Sequence, residues 1–245
     1  MAPKPQPDRE VEPVVQRLRL RYAKRGRLRF SSHRDFQRAF ERAVRRAGVP
    51  IAFSAGFSPH PKISYANAAP TGIGSEAEYL EIGLARACDP QQVCHALQAA
   101  MPEELPILEA VEVRTGDFAE RLAASVWHIE LPDMDGATLE TAVATLLAAP
   151  AAEVTRMTKQ GLRTFDARHA IVDLSKMPDS ADGCAILRVV VRHTTPAVRP
   201  DDVLQALASV GSLGYAVPPR VTRLAQGPLD AEAGDVGDPL LPDRS

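Results

Sequence analysis

Residues 16–48 read QRLRLRYAKRGRLRFSSHRDFQRAFERAVRRAG, and the spacing of their apolar side chains changes part-way along. Over 16–22, arginine alternates with leucine or tyrosine, which is the two-residue period of a strand with one buried face. Over 33–47, apolar residues recur every three or four positions, which predicts a helix closed by the glycine that follows. Ser31 or Ser32 is suited to be its N-cap. The stretch therefore predicts a strand followed by an amphipathic helix.

The residues that follow extend this start to a β-α-β-β-α-β order. We predict a short strand over 49–54 and, after a loop rich in glycine and proline, a further strand over 78–84. Asp89-Pro90 then opens a helix, with aspartate as the N-cap and proline at the first helical position. A strand over 105–113 closes the unit. This order is that of the split βαβ, or ferredoxin-like, arrangement.

The second half of the chain repeats that order. Strands are predicted over 126–131, 153–158, 185–193 and 217–224, with helices over 136–149 and 200–209 and a polar insert over 159–183. We therefore predict an α+β fold of tandem ferredoxin-like (βαββαβ) halves with antiparallel sheets, over 14–115 and 122–226. We expect residues 1–13, which are rich in proline, to be a disordered leader and 227–245 to be an acidic disordered tail.

Composition narrows the class of protein. The chain has no apolar run near the roughly 18 residues that span a bilayer and no hydrophobic secretory segment, so we expect a cytoplasmic protein without membrane contact. Its three cysteines, Cys88, Cys94 and Cys184, form no C-x-x-C pair, which fits a reducing compartment. The same spacing argues against a zinc ribbon or an iron–sulfur cluster, and we predict neither a metal site nor a cofactor.

The net charge of −2 conceals a strongly basic segment. Residues 14–65 contain 13 Lys or Arg against two acids, Asp35 and Glu41. Such a density is typical of a surface that binds a polyanion, for which RNA or DNA is the natural candidate. The alternative is a solvated surface in a chain that uses arginine where others use lysine.

The predicted helix over 33–47 has two chemically distinct faces. At about 100° per residue, five apolar residues gather on the side that would pack into a core: Phe36, Phe40, Ala43, Val44 and Ala47. The arginines gather on the other side, with Arg46 at its edge: Arg34, Arg38, Arg42 and Arg45. Like charges at four-residue spacing destabilise a helix, and a bound anion would remove their repulsion.

Polar loops flank this helix. His33 and Asp35 lie two positions apart at its start, where a histidine beside a carboxylate could carry a proton or could simply belong to an N-cap network. After the helix, Ser58-Pro59-His60-Pro61-Lys62 holds a histidine between two prolines, which restrict the backbone and preorganise the loop. The alternative is a structural proline-rich turn between strands.

Four motifs carry a resemblance to a known family. R-x-R-F-S-S-H-R-D, R-A-x-R-R-A-G-x-P, S-A-G-F-S-P-H-P-K-I-S and E-Y-L-E-I are similar to those of the radical-SAM-linked domain family, also called DUF2344, a bacterial family of undefined activity. Its members occur alone or as the C-terminal part of longer radical-SAM proteins. The resemblance is dense over 27–84 and thinner afterwards. Like the stand-alone members, this chain lacks the C-x-x-x-C-x-x-C that holds the catalytic cluster, so the resemblance implies at most a partner of a radical generator.

The resemblance also points to particular residues. Those in the dense part are Arg29, His33, Asp35, Arg42, Ser54, Phe57, His60 and Lys62. Further on, Lys159 and the run Phe165-Asp166-Ala167-Arg168 resemble the family's second polar patch, usually a K…D-x-R pattern, which adds Asp166 and Arg168.

Three hypotheses for the function follow. The first is an RNA-binding accessory domain that presents tRNA or rRNA to a separately encoded radical-SAM enzyme for modification or processing. Its RNA contacts would be Arg27, Arg29, Arg34, Arg38, Arg42, Arg45, Arg46, Ser54, Phe57, Lys62, Lys159, Asp166 and Arg168. The second is a metal-independent RNA endonuclease whose catalytic set is His33, Asp35 and His60, with the two histidines as acid and base. The third is a module that binds a small anionic ligand or a protein partner through the same loops. Whether the chain is an enzyme is not decided by its residues.

Overall fold

The structure is a computed structural model that describes residues 12–55, 57–158 and 161–244. It consists of two compact units, one formed by Met1–Ala119 with Leu240–Ser245 and the other by Glu120–Pro239. The division after Ala119 falls between the two predicted halves.

The first unit is a four-stranded antiparallel sheet with two long helices. Its strands are β1 (Gln16–Lys24), β2 (Ile63–Ala66), β3 (Gly74–Leu84) and β4 (Ile107–Glu112), in the spatial order β4-β1-β3-β2. Its helices are α1 (His33–Arg46), between β1 and β2, and α2 (Pro90–Ala100), between β3 and β4. A 3-10 turn over Gly26–Phe30 leads into α1, and a one-turn helix, α3 (Phe118–Arg121), follows β4. The element order is the predicted β-α-β-β-α-β.

The apolar side chains that recur with a strand period and then a helix period in residues 16–48 form part of the core of this unit. On β1 the alternate residues Leu18 and Leu20 are fully buried, and on α1 the buried residues include Phe36 and Phe40. The rings of Tyr22 and Phe36 stack at 4.1 Å between centroids. Each such side chain stabilises the fold by about 1.5–3 kcal/mol through burial. The predicted strand and the predicted apolar helix face are confirmed.

The second unit has the same strand order with an added hairpin. Its sheet strands are β5 (Ala124–Leu131), β8 (Ile171–Met177), β9 (Ala185–Arg192) and β10 (Arg220–Gly227), in the antiparallel order β10-β5-β9-β8. Its helices are α4 (Gly136–Ala148) and α5 (Pro200–Val210). Between α4 and β8, the strands β6 (Glu153–Thr158) and β7 (Gly161–Asp166) pair only with each other. The α+β class with antiparallel sheets is confirmed.

Two predicted strands do not take the sheet positions that the βαββαβ order gives them. Over 49–54 the structure has only isolated bridges at Ile51 and Phe53, and the second strand of the first unit is β2. Pro50 has no N–H to donate to a ladder, which weakens this segment as a strand. Over 153–158 the strand exists but belongs to the hairpin, and the sheet strand is β8, inside the predicted polar insert. β8 lacks a clear two-residue period, because its two buried residues, Ile171 and Leu174, are three positions apart.

The prediction of a disordered tail over 227–245 is wrong for the residues that the structure describes. Short strands β11 (Leu229–Asp230) and β12 (Asp235–Val236) pair with each other, and Leu240 is fully buried. The carboxylate of Asp243 is also buried, where Arg19 and Thr115 bind it. Acidic composition indicates disorder only where the acids lack such partners. Of the predicted leader, residues 1–11 lie outside the described part of the chain.

Neither a membrane-crossing helix nor a cluster of metal ligands occurs in the described ranges. None of their helices is long and apolar enough to cross a bilayer. No group of three or more His, Cys, Asp or Glu side chains there could hold a metal ion. Cys88, Cys94 and Cys184 are all unpaired thiols.

Candidate nucleic-acid interface

The start of α1 is fixed by a capping box between Ser32 and Asp35. The Ser32 hydroxyl oxygen accepts from the Asp35 amide at 3.2 Å, and Asp35 Oδ2 accepts from the Ser32 amide at 3.1 Å and from its hydroxyl at 2.6 Å. These hydrogen bonds from Ser32, helped by the charge of Arg38, hold the pKa of Asp35 below its ordinary value. Ser32 is the predicted N-cap. Asp35 serves the helix terminus, as the N-cap alternative supposed.

The ring of His33 lies against a residue of β2. Its ring meets the ring of Tyr65 edge to face, with centroids 4.8 Å apart, and Nε2 lies 3.0 Å from the amide nitrogen of Gln37. Burial of the Tyr65 hydroxyl and the nearby charge of Glu41 raise the pKa of that hydroxyl well above its usual range. Tyr65 therefore stays neutral and serves as an aromatic support for the histidine.

The loop over 54–60 is closed at its base. The Ser54 amide donates to the His60 carbonyl at 2.8 Å, and the Ser54 hydroxyl oxygen accepts from the His60 amide at 3.0 Å. One residue further out on each side, Phe53 and Pro61 form a bridge. The His60 ring and the Phe57 side chain project into solvent from this closed loop. Ser54 thus positions the loop, as a residue of a structural proline-rich turn would.

The two candidate catalytic histidines are not joined. Within the described residues, no hydrogen bond or ring contact links His33 to His60. His33 contacts Tyr65 in β2, whereas His60 precedes the first residue of that strand. An acid–base pair acting on one phosphate needs both rings within reach of it. The structure does not bring them together through any contact of their own.

Four of the 13 basic residues in 14–65 form ion pairs with distant acids. Four arginines of β1 and the turn after it pair with carboxylates elsewhere in the first unit: Arg17 with Glu81 at 2.8 Å, Arg19 with Asp243 at 2.5 Å, Arg21 with Glu109 at 3.8 Å and Arg25 with Glu76 at 2.5 Å. Arg46, at the end of α1, donates to the carbonyl of Ala100 at the end of α2. These side chains already have partners within the fold.

The remaining arginines form a free row on α1. We call Arg34, Arg38, Arg42 and Arg45 the arginine row. All four are exposed, and none has an ion pair or side-chain hydrogen bond among the described residues. Arg27, in the turn before α1, is also exposed and has no ion pair or side-chain hydrogen bond among the described residues. The row lies opposite the buried phenylalanines, as the sequence predicts.

Two further predicted RNA contacts, Arg29 and Lys62, have different surroundings. The guanidinium of Arg29 lies 4.9 Å from the ring centroid of Phe30, and its buried Nε has no hydrogen-bond partner in the described chain. Lys62 is exposed beside a cavity of about 200 Å³ that Arg17 and Ser64 also line. Arg29 therefore supports an aromatic ring, and Lys62 offers a positive charge at the edge strand β2.

The second polar patch belongs to the second unit and has a structural role there. Asp166 Oδ1 accepts from the amides of Ala152 at 2.8 Å and Arg168 at 2.9 Å. Burial acts to raise the pKa of Asp166, but these amide hydrogen bonds outweigh it and the pKa lies below its usual value. The guanidinium of Arg168 donates to the carbonyls of Ile171 at 3.3 Å and Leu147 at 3.2 Å. Lys159 lies outside the described residues.

The family described as an uncharacterized protein conserved in bacteria (DUF2344) matches residues 17–200, well over half of the chain. The chain belongs to this family. The DUF2344 match includes α1, the closed loop and the Asp166 patch, so both polar regions lie within the family domain. The chain matches no curated protein.

Solved structures give only remote similarities to this DUF2344 member. DyPB from Rhodococcus jostii RHA1 is 13% identical, covering 91% of this chain and 95% of its own, with a TM-score of 0.22. A DypB variant in complex with manganese is 12% identical, covering 81% of this chain and 85% of its own, also at 0.22. At that TM-score the similarity carries no argument.

Sequence reasoning missed three aromatic residues at this surface. Tyr65 supports His33, and Phe30 and Phe53 are exposed large rings beside α1. Each stands next to a recognised motif residue, and Phe30 falls outside every predicted helix and strand. An apolar ring outside any such period is the signal that could have found Phe30, whereas Phe53 was hidden in the alternation of the strand predicted over 49–54.

Proposed function

We propose that this chain is an RNA-binding accessory protein that presents tRNA or rRNA to a separately encoded radical-SAM enzyme. The observation that carries the proposal is the arginine row, four exposed guanidinium groups on one helix face without an ion pair or side-chain hydrogen bond in the described chain. Phosphate contacts from Lys and Arg supply most of the affinity of proteins for nucleic acids. Guanidinium groups also bind phosphate oxygens in a bidentate way.

The spacing of the arginine row favours a ligand with several phosphates rather than a single small anion. Four residues rise about 6 Å along a helix axis, so Arg34, Arg38 and Arg42 form an extended line. Their mutual repulsion destabilises α1 in the free protein. A polyanion laid along the line neutralises several of them at once, whereas one small ligand reaches only one or two.

The cysteines and the family resemblance support an accessory role. These residues lack the C-x-x-x-C-x-x-C of radical-SAM enzymes, and Cys88, Cys94 and Cys184 are separate thiols. In the proposed role the cluster is held outside this sequence, while these residues hold the RNA.

A salt titration of tRNA binding tests the proposal. The logarithm of the association constant should fall linearly with the logarithm of salt concentration, by about 0.7 to 0.9 per phosphate contacted. The double variant Arg38→Gln/Arg42→Gln should weaken binding and lower that slope by roughly 1.4 to 1.8. The matched control is Arg220→Gln, because Arg220 is 45% exposed but already paired with Glu130 at 2.5 Å. Binding that is absent, or indifferent to salt, overturns the proposal.

Crosslinking in the host identifies the RNA that is presented. We expect sequencing of the crosslinked RNA to recover one class, tRNA or rRNA, and to lose it with the Arg38→Gln/Arg42→Gln variant. Recovery of fragments in proportion to cellular RNA, unchanged by the variant, contradicts a presenting role.

A further inference from the structure

Three of the seven phenylalanines are left in solvent, one before α1 in the chain and two after it. Phe30, Phe53 and Phe57 keep 60%, 44% and 62% of their surface exposed, whereas Phe36 and Phe40 are buried in the core. Phe30 lies on the segment that enters α1, and the other two lie on the segment that leaves it. A partner that covers such rings removes their apolar surface from water.

The Phe30 ring is held in place by its neighbours. It lies under the guanidinium of Arg29, and a Cβ placed on Gly72 would come within 3.7 Å of it. The Gly72 amide donates to the Arg29 carbonyl at 2.9 Å, and the Ser31 amide to the Leu28 carbonyl at 3.0 Å. Because the backbone on both sides is bonded, little conformational entropy is lost when a flat partner stacks on the ring.

The other two rings stand on the closed loop. The bridge between Phe53 and Pro61 and the two hydrogen bonds between Ser54 and His60 fix both ends of the loop that carries Phe57. Aromatic side chains fixed in this way are stacking supports, which every nucleobase can use because every base has a π face.

We propose that the ligand of this surface is single-stranded RNA, with bases stacked on Phe30, Phe53 and Phe57 and phosphates along the arginine row. This inference rests on the proposed function. Paired bases in a duplex are already stacked on each other and hide their faces, and proteins recognise duplex RNA through phosphates and 2′-hydroxyls without needing exposed aromatic rings. Exposed rings on both sides of a basic helix therefore select unpaired nucleotides, such as those of loops, bulges and ends.

The length of α1 determines how long an RNA is needed to test this inference. Its 14 residues span about 21 Å, so a strand that follows the whole row and reaches the rings has several nucleotides. An unstructured RNA of roughly 12 nucleotides lies within the range of single-strand sites. The same RNA annealed to its complement provides a duplex of equal charge density or higher.

Fluorescence anisotropy with the full chain measures both affinities. We expect the single strand to bind at least about tenfold more tightly than the duplex at equal salt. Phe57→Ala and Phe30→Ala should each weaken single-strand binding by roughly 5- to 100-fold and leave duplex binding unchanged. Phe57→Tyr, which keeps a stacking ring, should retain the affinity. Leu162→Ala is the control, because Leu162 is a 71% exposed apolar residue of the second unit.

The outcomes separate this inference from the proposed function. If duplex and single strand bind equally and both phenylalanine variants bind like the wild type, while Arg38→Gln/Arg42→Gln binds weakly, the single-strand inference is wrong and RNA binding stands. If neither RNA binds at low salt, RNA binding itself is wrong. Loss of affinity in Phe57→Tyr as large as in Phe57→Ala also contradicts stacking.

Discussion

The carboxylate of Asp243 accepts a hydrogen bond of 2.5 Å from the guanidinium of Arg19, although the two residues lie 224 positions apart. The side chains are 3% and 0% exposed, so this is a buried ion pair. The other oxygen of Asp243 accepts from the amides of Arg114 and Thr115, both at 3.0 Å. Arg19 lies over the Phe118 ring at 4.7 Å. The end of the chain is thereby a part of the first unit.

Removing Asp243 should destabilise the protein strongly. Asp243→Ala leaves Arg19 buried without its main counter-charge and two amides without their acceptor, which together cost about 3 to 5 kcal/mol. Urea unfolding followed by circular dichroism measures the loss. Glu232→Ala, an exposed acid in the same stretch, should change stability by less than about 0.5 kcal/mol. Equal stability of the two variants would show that Asp243 does not anchor the chain end.

This pair also explains why the charge of the basic segment misled the sequence argument. The acids that neutralise its strand arginines are Glu76, Glu81, Glu109 and Asp243, which all lie outside 14–65. Antiparallel pairing of β1 with β3 and β4 brings the three glutamates to these arginines, and the return of the chain end brings Asp243. A linear count of charges contains no information on either. The helical arginines were placed well because the faces of one helix follow from its own period.

The strands that the sequence predicts correctly are those whose pattern lies within the strand itself, and the incorrect predictions concern strands defined by a distant partner. The patterns of β1 and α1 are long and lie within one element, so the sequence predicts them. Strand β2 has only four residues, and its partner β3 lies beyond a long loop. In the second unit, β8 became a sheet strand by pairing with β9, although its own composition is mixed. Partner choice depends on the assembled core and not on the period of the strand alone.

A buried phenylalanine of α1 and an exposed phenylalanine of the loop that follows should respond differently to truncation. Phe40 is fully buried, and Phe40→Ala should lower the free energy of unfolding by about 3 to 5 kcal/mol. Phe57 is exposed, and Phe57→Ala should change it by less than about 0.5 kcal/mol while weakening RNA binding. Paired measurements of unfolding and of binding check this. A large loss of stability in Phe57→Ala would mean that its ring serves the fold.

The capping box should make the stability of α1 depend on pH. The pKa of Asp35 is lowered in the folded chain by its hydrogen bonds with Ser32. Such a carboxyl contributes stability above its unfolded pKa of about 3.9, and the contribution is lost as the pH falls through the lower folded pKa. The stability difference between wild type and Asp35→Asn should therefore be largest above about pH 5 and shrink on acidification.

A titration of Asp35 by NMR checks the cause of that shift. In Ser32→Ala the pKa of Asp35 should rise toward its ordinary value, and the helix should lose about 1 kcal/mol of stability with its N-cap. Thr138→Ala is a matched control, because it removes a hydroxyl beside the analogous cap Asp135 on α4 and should leave Asp35 unchanged. An Asp35 that already titrates normally in the wild type would contradict the capping role.

The separate contacts of the two histidines lead us to expect that RNA is not cut by this protein. His33 is engaged by Tyr65 and Gln37, His60 projects from the closed loop, and Asp35 is committed to Ser32. No contact among the described residues joins these groups, so we expect them not to act as the acid–base pair of a nuclease. We expect full-length RNA on denaturing gels after prolonged incubation of single-stranded RNA with the wild type in a chelator. His33→Ala and His60→Ala should give the same pattern. Cleavage by the wild type that both substitutions abolish would instead establish an endonuclease, since two separate contaminants would not share that dependence.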